Sequence, residues 1–447
     1  MAACGIQIAV NGSVTDVDVE NDSANWKTKA GNVRITQGGG SWWRTSRPAV
    51  LSIDLDVPIE HMWAIRSVTI ALTLDVSTLS SLPAGTFAGP PPGKVLFHGQ
   101  VWSTRSDTAR GLVRVDAVED LQNLLSRRAR LAAANNSGIR GLLTAIETAH
   151  SLSTWGSLQF PSAADYMNLD RPAQKGASNG EWIRKALAGS GINLVAQWTG
   201  PVTNPYLQWR PDFFESYYSA SVDTTYQWTW NAGYPWELDY PDVGRVWNDA
   251  AARVNIDGED SAGNEYYGWA RLDDATQRNK LGNREINIST WIDNTTDLQR
   301  QARRLLAYVG EPGYTKMNQI MLPVEHYYQV MDTKGAPDPE IEILTAAGLY
   351  PGDLITKRDP WGNTNTDYGN WPAHCPIGSQ REGNLQELWE PIIEDDAAGG
   401  PAYTQIVKSV TREYDPAGGW TMTYGVEPWE GTALDAGDIS SYGSGTY

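Results

Sequence analysis

Alternation of hydrophobic and polar residues dominates the first hundred positions. Ile6, Ile8 and Val10 alternate with other residues up to an Asn11-Gly12 turn. Beyond it Thr15, Val17 and Val19 oppose Asp16, Asp18 and Glu20, giving one dry and one wet face. Ile53, Leu55 and Val57 repeat the pattern against Ser52, Asp54 and Asp56, and Val68, Ile70, Leu72 and Leu74 do so again. A Pro-rich loop from Pro83 to Gly93 interrupts it, after which Val95 and Phe97, then Val113, Val115 and Ala117, supply further strands. Short alternating strands separated by turn signals predict a barrel or sandwich.

The period then lengthens. Leu121, Leu124, Leu125 and Ala129 fall on one helical face, as do Ile139, Leu142, Leu143 and Ile146. A third helix is predicted from Ser178, with Trp182, Ile183, Ala186 and Leu187 facing inward and Gly189 to Gly191 ending it. Aromatic-rich strand material follows from Leu194 to Tyr240. From Val246 strands return, with turns expected at Asp257-Gly258 and Ala262-Gly263. One longer helix is expected near Trp291 to Val309. Thr290 and Asp293 resemble a capping box, Leu298, Ala302, Leu305 and Val309 form its stripe, and Gly310 and Pro312 stop it. Ile320, Leu322 and Val324, then Ile341 and Ile343, read as strands. Ile406 to Val410 and Trp420 to Val426 read as a closing hairpin around Asp415 to Gly419.

The fold class is therefore mainly β with an α+β insertion: two β-barrel or sandwich domains flanking a mixed α/β domain. The expected boundaries are 1–116, 117–245 and 246–430, with a Gly/Ser/Tyr-rich tail, 431–447, extending from the core. Residues 357–402 form a Pro/Gly/Trp-rich excursion inside the last domain, longer than an ordinary connector.

Charge narrows the function classes. A formal net charge of -18 repels phosphate backbones and argues against a dedicated nucleic-acid binder. Cys4 and Cys375, near opposite ends, imply no disulfide framework and are expected to be free thiols. The first ten residues lack the basic start and apolar core of a signal peptide, and no apolar run approaches the roughly 20 residues that span a bilayer. A soluble protein is expected.

Candidate chemistry is sparse. Gly176-Ala177-Ser178-Asn179-Gly180 matches a nucleophile elbow, but Arg171 to Lys175 do not read as the preceding strand. Ser178 followed by Glu181 reads instead as a helix-capping box. His61, His98, His150, His326 and His374 are scattered without paired ligand spacing, and His374-Cys375 reads as loop packing. Asn363, Asn365, Asp367 and Gly369 echo a calcium loop without its closing glutamate. The pairs Asp273-Asp274 and Asp395-Asp396 would diverge on a strand. No catalytic residue, metal or cofactor is expected. With 20 Trp and 20 Tyr against 5 Phe, tryptophan must supply core and interface filling. Trp42, Trp43, Trp361, Trp371 and Trp389 are the candidate interface residues. The same flat rings could stack on sugars, so a glycan-binding, receptor-recognising protein is the alternative, and a cell-wall hydrolase a more distant one.

Several segments together resemble minor tail proteins of actinobacterial siphophages. They are Val10-Asn11-Gly12-Ser13-Val14-Thr15-Asp16-Val17, Leu96-Phe97-His98-Gly99-Gln100-Val101, and the strand-to-helix run from Val113 to Leu121. The helix from Asp297 to Leu306, the run Leu349-Tyr350-Pro351-Gly352-Asp353-Leu354, and Val407 to Trp420 are similar to the second half of such hubs. That family is similar to contractile-phage baseplate hubs and type VI secretion spike hubs. The resemblance implies a structural, non-enzymatic homotrimer at the virion tail tip, assembled in the host cytoplasm. Its β domains would be tube-like, matching a hexameric tail tube and leaving a channel for transient DNA passage. Implied partners are the tail tube or a distal tail protein, the tape measure protein and other minor tail or fibre proteins, with no stable membrane anchoring.

Overall fold

The computed structural model describes residues 4–11, 13–16, 30–39, 47–57, 59–74, 93–150, 168–188, 195–199, 205–210, 227–231, 237–239, 244–245, 251–272, 284–309, 314–315, 319–324, 344, 346–351, 353–358, 404–428 and 441–446. The chain is mainly β, as its alternating pattern predicts.

The amino-terminal strands are β1 (Cys4–Val10), β2 (Ser13–Asp16), β3 (Ala30–Gly38), β4 (Val50–Leu55), β5 (Ser67–Leu74), β6 (Gly93–Asp107) and β7 (Leu112–Glu119). Asn11 makes the β1–β2 turn with a positive φ of 52°, a conformation that asparagine tolerates better than most residues. Its side chain accepts from the Arg66 and Ser67 amides and donates to the Ala64 carbonyl, anchoring the turn on the start of β5.

The middle of the chain supplies α1 (Asp120–Ser126), β8 (Ala134–Gly138), α2 (Ile139–His150), β9 (Asn168–Arg171), α3 (Asn179–Leu187), β10 (Val195–Thr199) and β11 (Tyr206–Arg210). Next come β12 (Gln227–Asn231), β13 (Glu237–Asp239), β14 (Gly244–Arg245), β15 (Arg253–Glu259), β16 (Glu265–Arg271), β17 (Glu285–Thr290) and α4 (Thr295–Val309). The chain then adds β18 (Tyr314–Thr315), β19 (Gln319–Pro323), β20 (Leu354–Arg358), β21 (Thr404–Asp415), β22 (Gly419–Pro428) and β23 (Ser441–Thr446).

One large sheet runs in the order β13-β19-β22-β21-β3-β4-β7-β6-β5-β1-β2, with β20 joined to β21 and β12 joined to β20. The joint between its two ends is the antiparallel pairing of β21 with β3, from Ser409 opposite Gly38 to Tyr414 opposite Val33. Strands more than three hundred residues apart in sequence thus share one hydrogen-bonded surface. The inward faces bury Ile8, Ile35, Leu51, Ile53, Leu55, Val68, Ile70, Phe97, Val115, Trp420, Met422 and Tyr424 in one core. Each such side chain contributes about 1.5–3 kcal/mol through burial. The Trp420 indole N–H donates to the Gly5 carbonyl at 2.9 Å although β22 and β1 lie far apart in strand order, so the sheet curls around its contents.

A second core lies beside the first. The sheet β17-β15-β16-β23 carries α4 on one face, and Leu298, Ala302, Leu305 and Leu306 meet Val254, Ile256 and Ala270 there. The same cluster takes in Leu121 and Leu124 of α1, Leu142, Leu143 and Ile146 of α2, and Trp182 and Ile183 of α3.

Local departures from the sequence pattern have identifiable causes. Asp257-Gly258 is not a turn but part of β15, and the turn falls at Asp260 to Asn264, where Asp260 accepts the Ala262 and Asn264 amides. Gly258 is needed in the strand because a Cβ there would collide with the Ile292 carbonyl. Helix α4 begins after Asn294, whose side chain accepts from the Thr296 and Asp297 amides, so Thr290 and Asp293 do not cap it. Ala129 lies beyond α1, which ends at Ser126. The carboxy-terminal stretch does not simply extend from the core: β23 pairs antiparallel with β16, from Tyr266 opposite Thr446 to Arg271 opposite Ser441. Small residues make that possible, since Gly443 and Gly445 sit directly against the Trp269 and Tyr267 rings.

Candidate functional site

The most concentrated polar chemistry among the described residues is a buried junction where three parts of the chain meet. Along β3 the inward positions are Val33, Ile35 and Gln37. Along β7 they are Val113, Val115, Ala117 and Glu119, and along β21 Val410 and Arg412. Each strand carries one polar residue at an inward position of an otherwise apolar row. The pairing of β21 with β3 brings Arg412 and Gln37 together, with Arg412 Nη1 donating to Gln37 Oε1 at 3.3 Å. Arg412 Nη2 donates to the Leu349 carbonyl at 2.7 Å, and its guanidinium lies 4.9 Å from the centre of the Tyr350 ring.

Glu119 is 1% exposed. Its carboxyl accepts the Ala49 amide at 2.9 Å and the Trp198 indole N–H at 2.8 Å. Burial pushes its pKa up to about 7, against the opposing pull of those two hydrogen bonds and of Arg412. Trp198 comes from the β10–β11 hairpin, which is further held by Gln37 Nε2 donating to the Ala196 carbonyl at 3.0 Å. Tyr350 completes the set. Its hydroxyl donates to the Val95 carbonyl at 3.2 Å and accepts the Trp198 amide at 3.3 Å, and burial pushes its pKa up to about 12. Asp353 accepts the Tyr350 amide at 2.7 Å and closes the turn that presents this ring. Tyr424 donates to the Ala346 carbonyl alongside. Glu119, Tyr350 and Arg412 are all enclosed by protein, so the arrangement fastens segments together and presents no group to a substrate.

His98 abuts this junction. Its Nε2 lies 3.3 Å from Asp120 Oδ2, its Nδ1 pairs with the Thr69 hydroxyl at 2.8 Å, and its ring meets Trp198 edge-on at 5.0 Å. His150 pairs with the Asn179 amide at 2.8 Å, and burial, then Arg127, holds its pKa down. Both rings are tied to neighbouring side chains, and the Thr69 hydroxyl beside His98 belongs to a residue only 2% exposed, closed off from a substrate.

Ser178 is the helix cap that its spacing from Glu181 predicts. Glu181 N–H donates to Ser178 Oγ at 3.2 Å and the Ser178 amide donates to Glu181 Oε2 at 2.7 Å. Asp170, Asp260 and Asp293 form an acidic neighbourhood near β9 and the start of α4. Asp260 is saturated by Ala262, Asn264 and Tyr266, which hold its pKa down, whereas burial, then nearby carboxylates, raises that of Asp293. Among the described residues no group of His, Cys, Asp or Glu is placed to hold a metal ion. An open groove of about 660 Å³ runs between α1, α3 and β17, lined by Arg47, Gln122, Leu125, Arg184, Leu187 and Asn287. It contains no acid–base pair.

Two aromatics face outward instead. Trp63, in a 3-10 turn at Ile59–Ala64, is 77% exposed, and Trp102, at a bulge in β6, is 69% exposed. Neither carries a periodic signal in the sequence, because Trp63 lies in a turn and Trp102 at a bulge that breaks the alternation of β6. The inward polar residues of the junction did leave one: a charge at a position where strand alternation demands an apolar side chain. Trp42, Trp43, Trp361, Trp371 and Trp389, the interface candidates from sequence, lie outside the described residues, as do His326, His374, Cys375, the Asn363 to Gly369 loop and both Asp-Asp pairs. Cys4 is a buried thiol. Among the described residues no helix is long and apolar enough to cross a membrane.

No family model matches this sequence, and no curated protein does. Solved structures with a similar trace include the tail protein from Neisseria meningitidis MC58, at 9% identity and a TM-score of 0.47, covering 96% of this chain and 97% of that one. The 43 kDa tail protein of prophage MuSo2 from Shewanella oneidensis is similar at 8% identity and a TM-score of 0.45, over 95% and 97% of the two chains. An E. coli type VI secretion component, itself similar to T4 bacteriophage tail proteins, is similar at 9% identity and a TM-score of 0.43, over 91% and 76%.

Proposed function

We propose that this chain is a non-enzymatic structural protein of a phage-type tail: a tail-tip hub that terminates the tail tube and connects it to distal baseplate, fibre or spike proteins. One observation carries the reading. The residues of its tail-protein-like motifs do architectural work in the curled sheet. Asn11 locks the β1–β2 turn. Gly99, in the Leu96 to Val101 segment, lets β6 approach β7 where a Cβ would strike the Val118 carbonyl. Glu119 and Asp120 end the Val113 to Leu121 segment inside the buried junction. Asp353 shapes the turn that delivers Tyr350. Arg412, between Val407 and Trp420, ties both halves of the sheet together. Motifs spent on holding a sheet in shape suit a scaffold and leave nothing over for catalysis.

In this reading the chain assembles in the host cytoplasm and works at the virion tail tip as a homotrimer. Its strand-rich stretches, 1–116 and 246–430, supply tube-like β structure around a channel through which DNA passes transiently, and the acidic character of the chain keeps that DNA from adhering. Its partners are the tail tube or a distal tail protein, the tape measure protein and other minor tail or fibre proteins. The interface role of Trp42, Trp43, Trp361, Trp371 and Trp389 belongs to the same proposal. Gold-tagged antibody against the chain, applied to intact and tail-stripped virions, tests the placement. Label at the distal end of the tail supports it, and label absent from the virion refutes it.

A further inference from the structure

The open groove between α1, α3 and β17 has an apolar floor and a basic rim. Leu125, Leu187 and Ile288 line the floor, and the last two are buried. Helices α1 and α3 pack tightly at this end, because a Cβ on Gly180 would stand 3.1 Å from the Leu125 carbonyl oxygen. Arg47 and Arg184 line the groove and are exposed. Arg128 is exposed on the loop that follows α1. That loop is held in place on either side of it: the Asn179 amide donates to the Arg127 carbonyl at 2.7 Å, and the Ala129 amide donates to Asn179 Oδ1 at 2.9 Å. Glu181 lies near Arg184 and Arg128 but is committed to the cap of α3. Its hydrogen bonds from Ser178 hold its pKa down first, and the two guanidiniums add to that. Lys185, the next residue along α3, is paired with Glu259 at 2.9 Å. Among the described residues no such ion pair takes up Arg47, Arg128 or Arg184. On a chain of net charge -18 this rim is a local excess of positive charge.

We propose that this groove is a docking site for an acidic segment of a partner protein, whose apolar side chains sit on the floor while its carboxylates meet the arginine rim. Guanidinium forks suit carboxylates and phosphates alike, so charge by itself does not choose the occupant. Two features do. A nucleic acid extends over many screening lengths and meets the field of the whole acidic chain, whereas a short segment responds to charges within about 8 Å. A phosphate backbone also has nothing apolar to set against Leu125, Leu187 and Ile288, and the wet floor it left would forfeit the gain from burying them. An acidic segment with interleaved apolar residues satisfies both, and Gln122 and Ser289 on the walls offer hydrogen-bonding groups to its main chain. The inference goes beyond the tail-tip reading and does not rest on it, since it concerns one surface of the chain and not the place of the chain in a tail.

Fluorescence anisotropy with the full chain tests it, using three labelled probes: a peptide alternating glutamate with leucine, an all-glutamate peptide of the same length, and a short DNA duplex. Circular dichroism establishes that each variant folds. The glutamate–leucine peptide is expected to bind, and to weaken as salt rises because the rim is exposed. The all-glutamate peptide is expected to bind about 10-fold or more weakly, the scale of losing one buried leucine, and the duplex not at all. Combined Arg47→Glu and Arg184→Glu substitution is expected to weaken the glutamate–leucine peptide by about 10-fold or more, while Arg47→Lys with Arg184→Lys keeps most of the binding. Absence of peptide binding to the wild type, binding indifferent to the charge reversals, or a duplex that binds as well as the peptide would each overturn the proposal. So would self-association of the wild type, seen by sedimentation velocity, that the same reversals abolish, since a second copy would then be the occupant. None of these outcomes bears on the tail placement, which virion labelling decides.

Discussion

The indole of Trp420 donates its N–H to the backbone carbonyl of Gly5 at 2.9 Å, joining the final hairpin of the large sheet to its first strand. Trp420 is fully buried, so this bond has no water to replace it. It holds the curl of a sheet whose two arms are otherwise joined through β3 and β21.

Trp420→Phe keeps most of the ring but leaves the Gly5 carbonyl without its donor. A loss of about 1–3 kcal/mol is expected in urea unfolding, the desolvation penalty of a stranded polar group. Trp420→Ala adds a cavity and is expected to cost about 3–5 kcal/mol. Equal stability of wild type and the Phe variant would show that the bond carries no share of the closure.

Glu119 makes stability depend on pH in a stated direction. Its pKa rises from 4.5 to about 7 on folding, so the folded state holds the proton more tightly than the unfolded chain. Its contribution is therefore complete below pH 4.5 and is lost as pH rises through about 7, a change on the order of 3 kcal/mol. Glu119→Gln is expected to flatten this slope. A single amide oxygen cannot serve both the Ala49 and Trp198 donors, so the variant should also be less stable than wild type at pH 5. Unfolding curves at pH 5 and pH 8 read both effects, and an unchanged slope in the Gln variant would assign the pH dependence to another group.

Much of this fold is legible in the sequence, and the parts that are not share a cause. Alternation marks β4 and β7 because one face of each is buried, and most of β1 follows the same rule, whereas β5 is buried on both faces; the helical stripes of α2, α3 and α4 stand out because one side of each is buried. The Asp415 to Gly419 hairpin is local and so visible. The pairing of β3 with β21 is not local, and no residue in either strand announces its distant partner. Strand β23 is written in Ser, Gly and Tyr, which resembles a loose tail until Gly443 and Gly445 are seen beneath aromatic rings. Asn294 was hidden because Thr290, a plausible cap, lies only a turn away, but is the last residue of β17. The junction was readable in principle: Gln37, Glu119 and Arg412 each occupy an inward position of an otherwise apolar row.

Ser178 is expected to matter for stability and not for chemistry. Ser178→Ala removes the cap of α3 and should cost about 1 kcal/mol. A serine-directed fluorophosphonate probe is expected to leave the wild type unlabelled. Labelling that vanishes in the Ala variant would make Ser178 a nucleophile.

Gly99 is expected to admit no side chain. Gly99→Ala drives a methyl group into the Val118 carbonyl between β6 and β7, where neither strand can yield without disturbing the bulge that presents Trp102. A loss of about 1–3 kcal/mol, the usual cost of overpacking, is expected in thermal unfolding. Wild-type stability in this variant would mean that the two strands separate freely at that point.

The proposed role at the tail tip is decided by an electron-microscopy map of the assembled tail. A tail-tip scaffold gives density for this chain in a closed ring against the end of the tail tube, with its large sheet lining the passage. A map that places the chain outside the tube-proximal ring, as a peripheral fibre or a detached enzyme, would contradict it.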